Sequence, residues 1–301
     1  MKNPFLNVFD QASCQYVTQD LARKLVFHHI PKTAGSTFRT LLESFYQADE
    51  ICPAEVPGEL ANYWDISDKS KYLFFAGHFS YSSIESYLND AIWITFLRSP
   101  VERLISYYYN VTNKDRVPAH WINRYNADQE WREYFETVQG MDINSFLSCT
   151  NPKAKRLTSN RQTQAFIPDS QRLLVGDWSC YDKKLVETAK KNLKNKFCFI
   201  GIQEYFTLSV DLFSLIFSID QVNLENYTKN LNKLKARSSK YDINTGVREE
   251  ILRKNSMDSE LYEYAKSLFF LQLQKINWTV FQEIVPEICQ LHSSPAWLLG
   301  E

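Results

Sequence analysis

A lysine in the turn after one apolar run, a histidine closing a second run and an arginine closing a third are the residues in this chain with chemistry to offer. Lys32 lies within Leu25–Tyr46, LVFHHIPKTAGSTFRTLLESFY. The stretch opens on Leu25, Val26 and Phe27 with Ile30 just beyond, turns through Pro31-Lys32-Thr33-Ala34-Gly35, and resumes with Phe38, Leu41, Leu42 and Phe45. Those four fall at i, i+3, i+4 and i+7, one buried face of a helix. Ser36 and Thr37 sit where that helix begins, with unpaired backbone N–H groups and the positive end of its dipole facing the turn. A strand, a lysine-bearing loop and a hydroxyl-bearing helix start make a cradle for an anion, above all a phosphate.

Three further apolar runs end in loaded positions. Lys71–Gly77 (KYLFFAG) is followed by His78, Ala91–Arg98 (AIWITFLR) closes on Arg98, and Phe197–Ile202 (FCFIGI) runs into Gln203-Glu204. After Arg98 comes Ser99-Pro100-Val101-Glu102, which predicts a capping box with Ser99 at the N-cap, Pro100 at N1 and Glu102 at N3. Val101, Leu104, Ile105 and Tyr108 form one face of the helix that follows. Helices are also expected at 84–90, within 113–140, and over Lys183–Lys196, Phe206–Ile219 and Asp258–Ile276. Residues 1–23 read as an irregular lead-in and 47–70 as a connection. Residues 148–172 read as a long, polar, basic functional loop, and 223–239 as an ordered basic loop.

Strands alternating with helices call for a parallel sheet. The expected fold is therefore α/β: a P-loop-like three-layer architecture with a central parallel β-sheet flanked by helices. One domain over 1–301, with its core at about 24–276, accounts for the pattern. Ligands in open sheets of this kind bind outside the carboxyl ends of the strands. That rule gathers Lys32, His78 and Arg98 along one edge.

The bulk composition narrows the partners. The chain has 301 residues, 44% of them hydrophobic, with a net charge of −1, so no global charge points to nucleic acid and an anionic ligand must be met by local patches. The six cysteines include no C-x-x-C pair, and five histidines leave few ligands for a metal, so no metal site is expected. The start MKNPFLNVFDQASCQY lacks the apolar core of a signal peptide and no run is long enough to span a membrane, which leads to the expectation of a cytoplasmic protein.

The lysine loop does not fit the nucleoside-triphosphate motif. That motif, G-x-x-x-x-G-K-[ST], places lysine after its second glycine, whereas PKTAGST places Lys32 before the only one. No acidic residue follows a strand where a magnesium ion would need it, since AIWITFLR ends in arginine. An arginine there suits a further phosphate.

His29–Thr37 (HIPKTAGST) resembles the 5′-phosphosulfate loop of sulfotransferases that use 3′-phosphoadenylyl sulfate, and Phe96–Asn110 (FLRSPVERLISYYYN) resembles their 3′-phosphate motif. Within that superfamily the chain is most similar to heparan sulfate 6-O-sulfotransferases and their bacterial relatives, over roughly residues 24–270. Asn160-Arg161-Gln162-Thr163 is similar to an N-R-Q-[VT] element of that family, Ala189–Phe206 to a helix–strand segment, Asn226-Tyr227-Thr228-Lys229 to an N-S-T-R element, and Glu260–Phe269 to a late helix. The resemblance implies a donor site made of His29, Ile30, Pro31, Lys32, Thr33, Ala34, Gly35, Ser36, Thr37, Arg98, Ser106, Thr228 and Lys229. Lys32 would hold the 5′-phosphosulfate, and Arg98 with Ser106 the 3′-phosphate. His78 would be the general base that takes the proton of an acceptor hydroxyl, on a sugar or polysaccharide, with no metal. The animal enzymes carry glutamine where this chain has Pro31 and T-G-G where it has Thr33-Ala34-Gly35, and they are anchored in Golgi membranes.

Plainer readings stand beside these. Lys32 could be a solvated loop lysine, Arg98 and Ser106 a helix cap and a helix serine, and His78 a hydrogen-bonded histidine at a strand end. His28 and His29 are adjacent on a strand and must face opposite ways, one packed and the other acting through its backbone. His120 and His292 read as packing or surface residues, Glu204 as a structural acid that orders a basic neighbour, and Tyr107-Tyr108-Tyr109 as mostly core. Lys153, Lys155, Arg156 and Arg161 divide evenly between solvated loop and ligand contacts. Cys149 and Cys180 fall near cysteines of the animal enzymes, so the resemblance admits a disulfide that a cytoplasmic location disfavours. Two rival functions remain at this point: a P-loop kinase-like phosphotransferase, and a catalytically silent nucleotide- or glycan-binding protein.

Overall fold

The computed structural model describes residues 23–56, 71–79, 91–113, 125–217 and 243–274, with isolated positions 59, 82, 84, 88 and 122 between them. Thr228, Lys229, His120, His292 and the 223–239 segment lie outside the described residues, as does most of the helix expected at 84–90.

Four short strands form the sheet: β1 (Leu25–His28), β2 (Phe74–Gly77), β3 (Ile92–Leu97) and β4 (Phe197–Ile202). All pair parallel, in the order β2-β1-β3-β4. Every residue of β1, β2 and β3 is buried, as expected of parallel strands covered on both faces. The chain passes from β1 out to β2 on one side, then crosses back to β3 on the other. The end of β1 is therefore the point where strand order reverses, and a crevice opens there. Register aligns His28 with Gly77 on one side and with Thr95 on the other. The residues just past these three strands consequently share one edge of the sheet.

Helices fill the connections. In the first part of the chain they are α1 (Gly35–Glu43), α2 (Pro100–Val111), α3 (Gln129–Val138), α4 (Ile143–Leu147) and α5 (Pro152–Thr158). There follow α6 (Arg161–Ala165), α7 (Asp169–Arg172), α8 (Lys183–Lys196), α9 (Phe206–Phe217), α10 (Thr245–Lys254) and α11 (Ser256–Gln274). Phe38, Leu41 and Leu42 form the buried face of α1 that the spacing predicts, whereas Phe45 lies past the helix end at Glu43 and is half-buried. Phe38 is central to that packing: its ring lies 5.3 Å from Phe27, 4.6 Å from Phe96 and 5.1 Å from Phe213, joining α1 to two strands and to α9. Truncating such a residue typically costs about 3–5 kcal/mol. A second apolar cluster joins α2, α3, α4, α5 and α10 through residues such as Leu104, Tyr134, Phe146 and Ile251.

Two expectations are corrected. Residues 148–172 are not a loop but a run of short helices, α5 to α7. Asn151 caps α5 by accepting from the Lys153 and Ala154 N–H groups, with Pro152 at N1. The polar residues that made the stretch look solvated point inward: Asn160, Gln162, Thr163 and Gln164 are all buried. The capping box at α2 does not form either. Ser99 makes no side-chain cap, and its own N–H is accepted by Glu204 Oε1 at 2.8 Å. Glu102 turns instead toward Arg98 at 3.8 Å and Arg248 at 4.0 Å.

Candidate active site

The loop from β1 to α1 is wound tightly by two residues in the left-handed region, Lys32 at φ 72° and Ala34 at φ 69°. Thr33 between them is buried, and its hydroxyl donates to the Ile30 carbonyl at 2.9 Å. Ala34 is the N-cap of α1 and supplies no side-chain cap, so the N–H groups of Gly35, Ser36 and Thr37 open the helix with no partner from that residue's side chain. Gly35 has a steric reason to be glycine: a Cβ there would sit 1.8 Å from the His29 ring. That ring stacks on Phe27 at 5.5 Å and lies 4.6 Å from the ring of His78. Burial, followed by the neighbouring His78, holds the His29 imidazole well below its ordinary pKa, so it stays neutral.

His78 is fixed by its neighbours. Its backbone N–H donates to the Glu55 carbonyl at 2.7 Å, and its ring Nδ1 lies 2.7 Å from the His29 carbonyl oxygen. A carbonyl only accepts, so Nδ1 carries the proton and Nε2 is the basic nitrogen. His29 thus enters the site through its backbone while its ring packs. His28 is fully packed.

Lys32 and Arg98 converge on the same crevice. Arg98 Nη1 donates to the Lys32 carbonyl at 3.2 Å, and Lys32 Nζ donates to Asn110 Oδ1 at 3.4 Å. Asn110 lies one helical turn beyond Ser106 on α2, so the face bearing Ser106 is the one turned toward Lys32. Burial and the adjacent Arg98 charge hold the Lys32 ammonium below its ordinary pKa. Two cations pressed together in this way fit a polyanion, whose charge would relieve both. Among the described residues no group of His, Cys, Asp and Glu could hold a metal ion.

Beside this crevice opens a cavity of about 820 Å³ whose lining includes Pro31, His78, Arg103, Tyr107, Arg161 and Arg172. Lys155, Arg156, Trp131 and Trp178 contribute to the same lining. Burial and then the nearby Arg172 and Arg156 push the Arg161 guanidinium down to about 10. Arg103 has no solvent exposure, and none of its three guanidinium nitrogens has a hydrogen-bond partner. Lys153, by contrast, is structural: it is buried, paired with Glu130 at 2.9 Å and seated 3.9 Å over the Trp131 ring. Among the described residues Glu204 orders Ser99 and the Tyr262 hydroxyl and not the basic neighbour expected of it. Cys149 and Cys180 are both free thiols.

A family model described as the sulfotransferase family matches residues 15–265. The chain belongs to the sulfotransferase family. It is 26% identical to mouse heparan-sulfate 6-O-sulfotransferase 3, over 81% of this chain and 57% of that protein. It is likewise 26% identical to human heparan-sulfate 6-O-sulfotransferase 2, over 91% of this chain and 52% of the relative. The chicken form of heparan-sulfate 6-O-sulfotransferase 2 is also 26% identical, with 86% of this chain and 70% of that protein covered. The chain spans just over half the length of the mouse and human relatives.

Several residues that shape this candidate site were not singled out by sequence reasoning. Asn110 carried a signal, because it ends the second phosphate motif one turn after Ser106 on the same helix face. Arg103 carried a weaker one, an arginine embedded among Val101, Leu104 and Ile105. Asp258 carried none. It accepts from the N–H groups of Gln162 at 3.0 Å and Thr163 at 2.6 Å and from the Thr163 hydroxyl at 2.8 Å, contacts across about 95 residues of chain.

Proposed function

We propose that this protein transfers the sulfuryl group of 3′-phosphoadenylyl sulfate to a hydroxyl group of an acidic polysaccharide. The observation that carries the reading is the convergence of the Lys32 loop, Arg98 and His78 at one edge of a parallel sheet, with His78 Nδ1 bonded to the His29 carbonyl. In this reading the first N–H groups of α1 receive the 5′-phosphate of the donor. Arg98 and Ser106 receive its 3′-phosphate, a task in which Thr228 and Lys229 are proposed to share.

The chemistry follows from how the residues are held. Nε2 of His78 takes the proton of the acceptor hydroxyl as its oxygen forms a bond to sulfur. The bond from sulfur to the 5′-phosphate oxygen breaks, its electron pair leaves with adenosine 3′,5′-bisphosphate, and Lys32 stabilises the charge that develops there. Positioning and electrostatics supply most of the rate, as they do in phosphoryl transfer. Neutral His29 beside His78 adds no positive charge to oppose proton uptake.

The acceptor reading rests on the cavity. Arg103, Arg156, Arg161, Arg172 and Lys155 outnumber Asp128 and Asp177 in its lining, an excess of positive charge that favours a chain bearing carboxylate or sulfate groups, and the relatives are named for heparan sulfate. The test is incubation with labelled donor and a panel of acidic and neutral glycans, comparing wild type with His78→Ala and Lys32→Ala. Transfer to an acidic glycan that falls a hundredfold or more in both variants supports the reading. Undiminished transfer in both removes it, and a donor bound but never consumed favours a silent binding protein.

A further inference from the structure

We propose that His28 is a positioning residue for His78, holding the backbone of the general base so that Nε2 stays proton-free. The inference rests on reading His78 as that base.

His28 is the last residue of β1 and is 1% exposed. Its ring sits in an aromatic box, 5.5 Å from Phe166, 5.6 Å from Phe197 and 6.5 Å from Trp93. A leucine or a phenylalanine would suit such a box better, because the imidazole brings Nδ1 into it with no hydrogen-bond partner. What the ring gains is one contact: Nε2 lies 3.0 Å from the carbonyl oxygen of Phe79. The carbonyl only accepts, so His28 Nε2–H is the donor. Phe79 is the residue that follows His78.

The two strand ends are therefore tied crosswise. The ring of His28 reaches the carbonyl of Phe79, and the ring of His78 reaches the carbonyl of His29. Between these ties the His29 N–H donates to the Gly77 carbonyl at 3.1 Å, and the His78 N–H to the Glu55 carbonyl at 2.7 Å. The carbonyl of Gly77 and the N–H of His78 are engaged, and His28 holds the carbonyl of Phe79, one residue further on. The carbonyl belongs to the peptide that follows Phe79, so without that bond the segment carrying His78 and Phe79 loses this tie to the end of β1. Movement of that segment tilts the His78 side chain off the His29 carbonyl. An imidazole released from such a bond reverts to the mixture of tautomers it has in water, where Nε2 carries the proton much of the time and cannot accept one.

The test is histidine nitrogen NMR on the full chain saturated with adenosine 3′,5′-bisphosphate, for wild type, His28→Phe and His28→Gln. Phenylalanine keeps the box filled without a donor; glutamine offers an N–H at the position of Nε2. The expected result is a His78 protonated at Nδ1 in wild type, a mixed or reversed tautomer in His28→Phe, and recovery in His28→Gln. The affinity for bisphosphate should stay within about twofold in all three, since the phosphate ligands are untouched. A His78 that keeps its Nδ1 proton in His28→Phe overturns the proposal, as does a glutamine variant no better than phenylalanine. So does a bisphosphate affinity that falls together with the tautomer change. Should His28→Phe fail to fold, the wild-type spectrum still decides: a His28 protonated at Nδ1 excludes the tie to Phe79. If His78→Ala leaves sulfuryl transfer intact, the base reading fails, whatever the tautomer result shows about the clasp.

Discussion

The side-chain amide of Gln162 brackets the backbone of Arg98: Oε1 accepts the Arg98 N–H at 2.9 Å, and Nε2 donates to the Arg98 carbonyl at 2.8 Å. β3 has ended by this point, and the amide supplies the partners that a further ladder residue would have supplied. Gln162 is itself anchored by Asp258, and Asp258 accepts a place in the network through its own N–H, which donates to Asn160 Oδ1 at 2.8 Å. A continuous buried chain of hydrogen bonds thus runs from α11 to the arginine read as the 3′-phosphate ligand.

Gln162→Leu keeps the volume and removes both bonds. Leaving the two backbone groups of Arg98 unsatisfied is expected to cost about 1–3 kcal/mol of stability. It should also weaken adenosine 3′,5′-bisphosphate binding by roughly tenfold, since Arg98 loses its fixed backbone. Denaturant melts and calorimetric titration check the two effects separately, and unchanged bisphosphate affinity would show that Arg98 needs no such support.

The sequence made the strands and their loaded ends legible because parallel strands are apolar throughout, with His78 and Arg98 directly after one and Lys32 four residues after another. Lys32, His78 and Arg98 share an edge for that reason alone. The Gln162–Asp258–Asn160 network was not legible, because polar residues at the surface and polar residues satisfied in the interior look alike in a sequence. The same ambiguity turned α5 to α7 into an expected loop. The capping box at Ser99 failed for a related reason: Glu204, far along the chain, took the N–H that Glu102 was expected to take.

Gly35→Ala probes the close contact between the β1–α1 loop and His29. With 1.8 Å between the new Cβ and the ring, either the ring leaves its stack on Phe27 or the start of α1 shifts. An overpacking cost of about 1–3 kcal/mol is expected, together with loss of bisphosphate binding. A thermal melt with and without bisphosphate reads both, and a variant that binds as well as wild type would mean that the ring moves without disturbing the cradle.

Lys32 gives donor binding a pH signature. Burial and Arg98 hold its pKa in the free protein below 10.5. Between that lowered value and 10.5 the unfolded chain carries more protons than the folded one, so the free protein gains stability as pH rises through the window. A bound bisphosphate favours the protonated lysine. The stabilisation it confers should therefore be greatest below the window and shrink as pH rises through it. Thermal shifts with saturating bisphosphate across neutral to alkaline pH check this, and Lys32→Ala should flatten the dependence.

His28 sets a second pH dependence at the acid end. Its pKa falls from 6.5 to about 4, chiefly because burial penalises the charged ring. The unfolded chain binds the extra proton first, so stability is lost as pH falls below 6.5, and the loss is complete below about 4. The displacement corresponds to roughly 3 kcal/mol for a ring this well buried. In His28→Phe the change in unfolding free energy between those two pH values should shrink by about that amount. Equal slopes in the two proteins would mean that the ring finds water or a partner when it is protonated.

The arginine-lined cavity predicts salt-dependent use of the acceptor. Arg156 is exposed and Arg172 half-buried, so replacing both with alanine should leave the fold nearly unchanged, whereas replacing the fully buried Arg103 would disturb the surroundings of Asp258. For an acidic glycan the double variant should raise KM several-fold with little change in kcat, because the two guanidinium groups attract the chain without touching the reacting atoms. The dependence of KM on salt should weaken at the same time, since fewer screened charges remain to draw the polyanion in. Initial rates over a range of ionic strengths separate this from a catalytic role. A fall in kcat at constant KM would place Arg156 and Arg172 in the chemistry of transfer, beside His78 and Lys32.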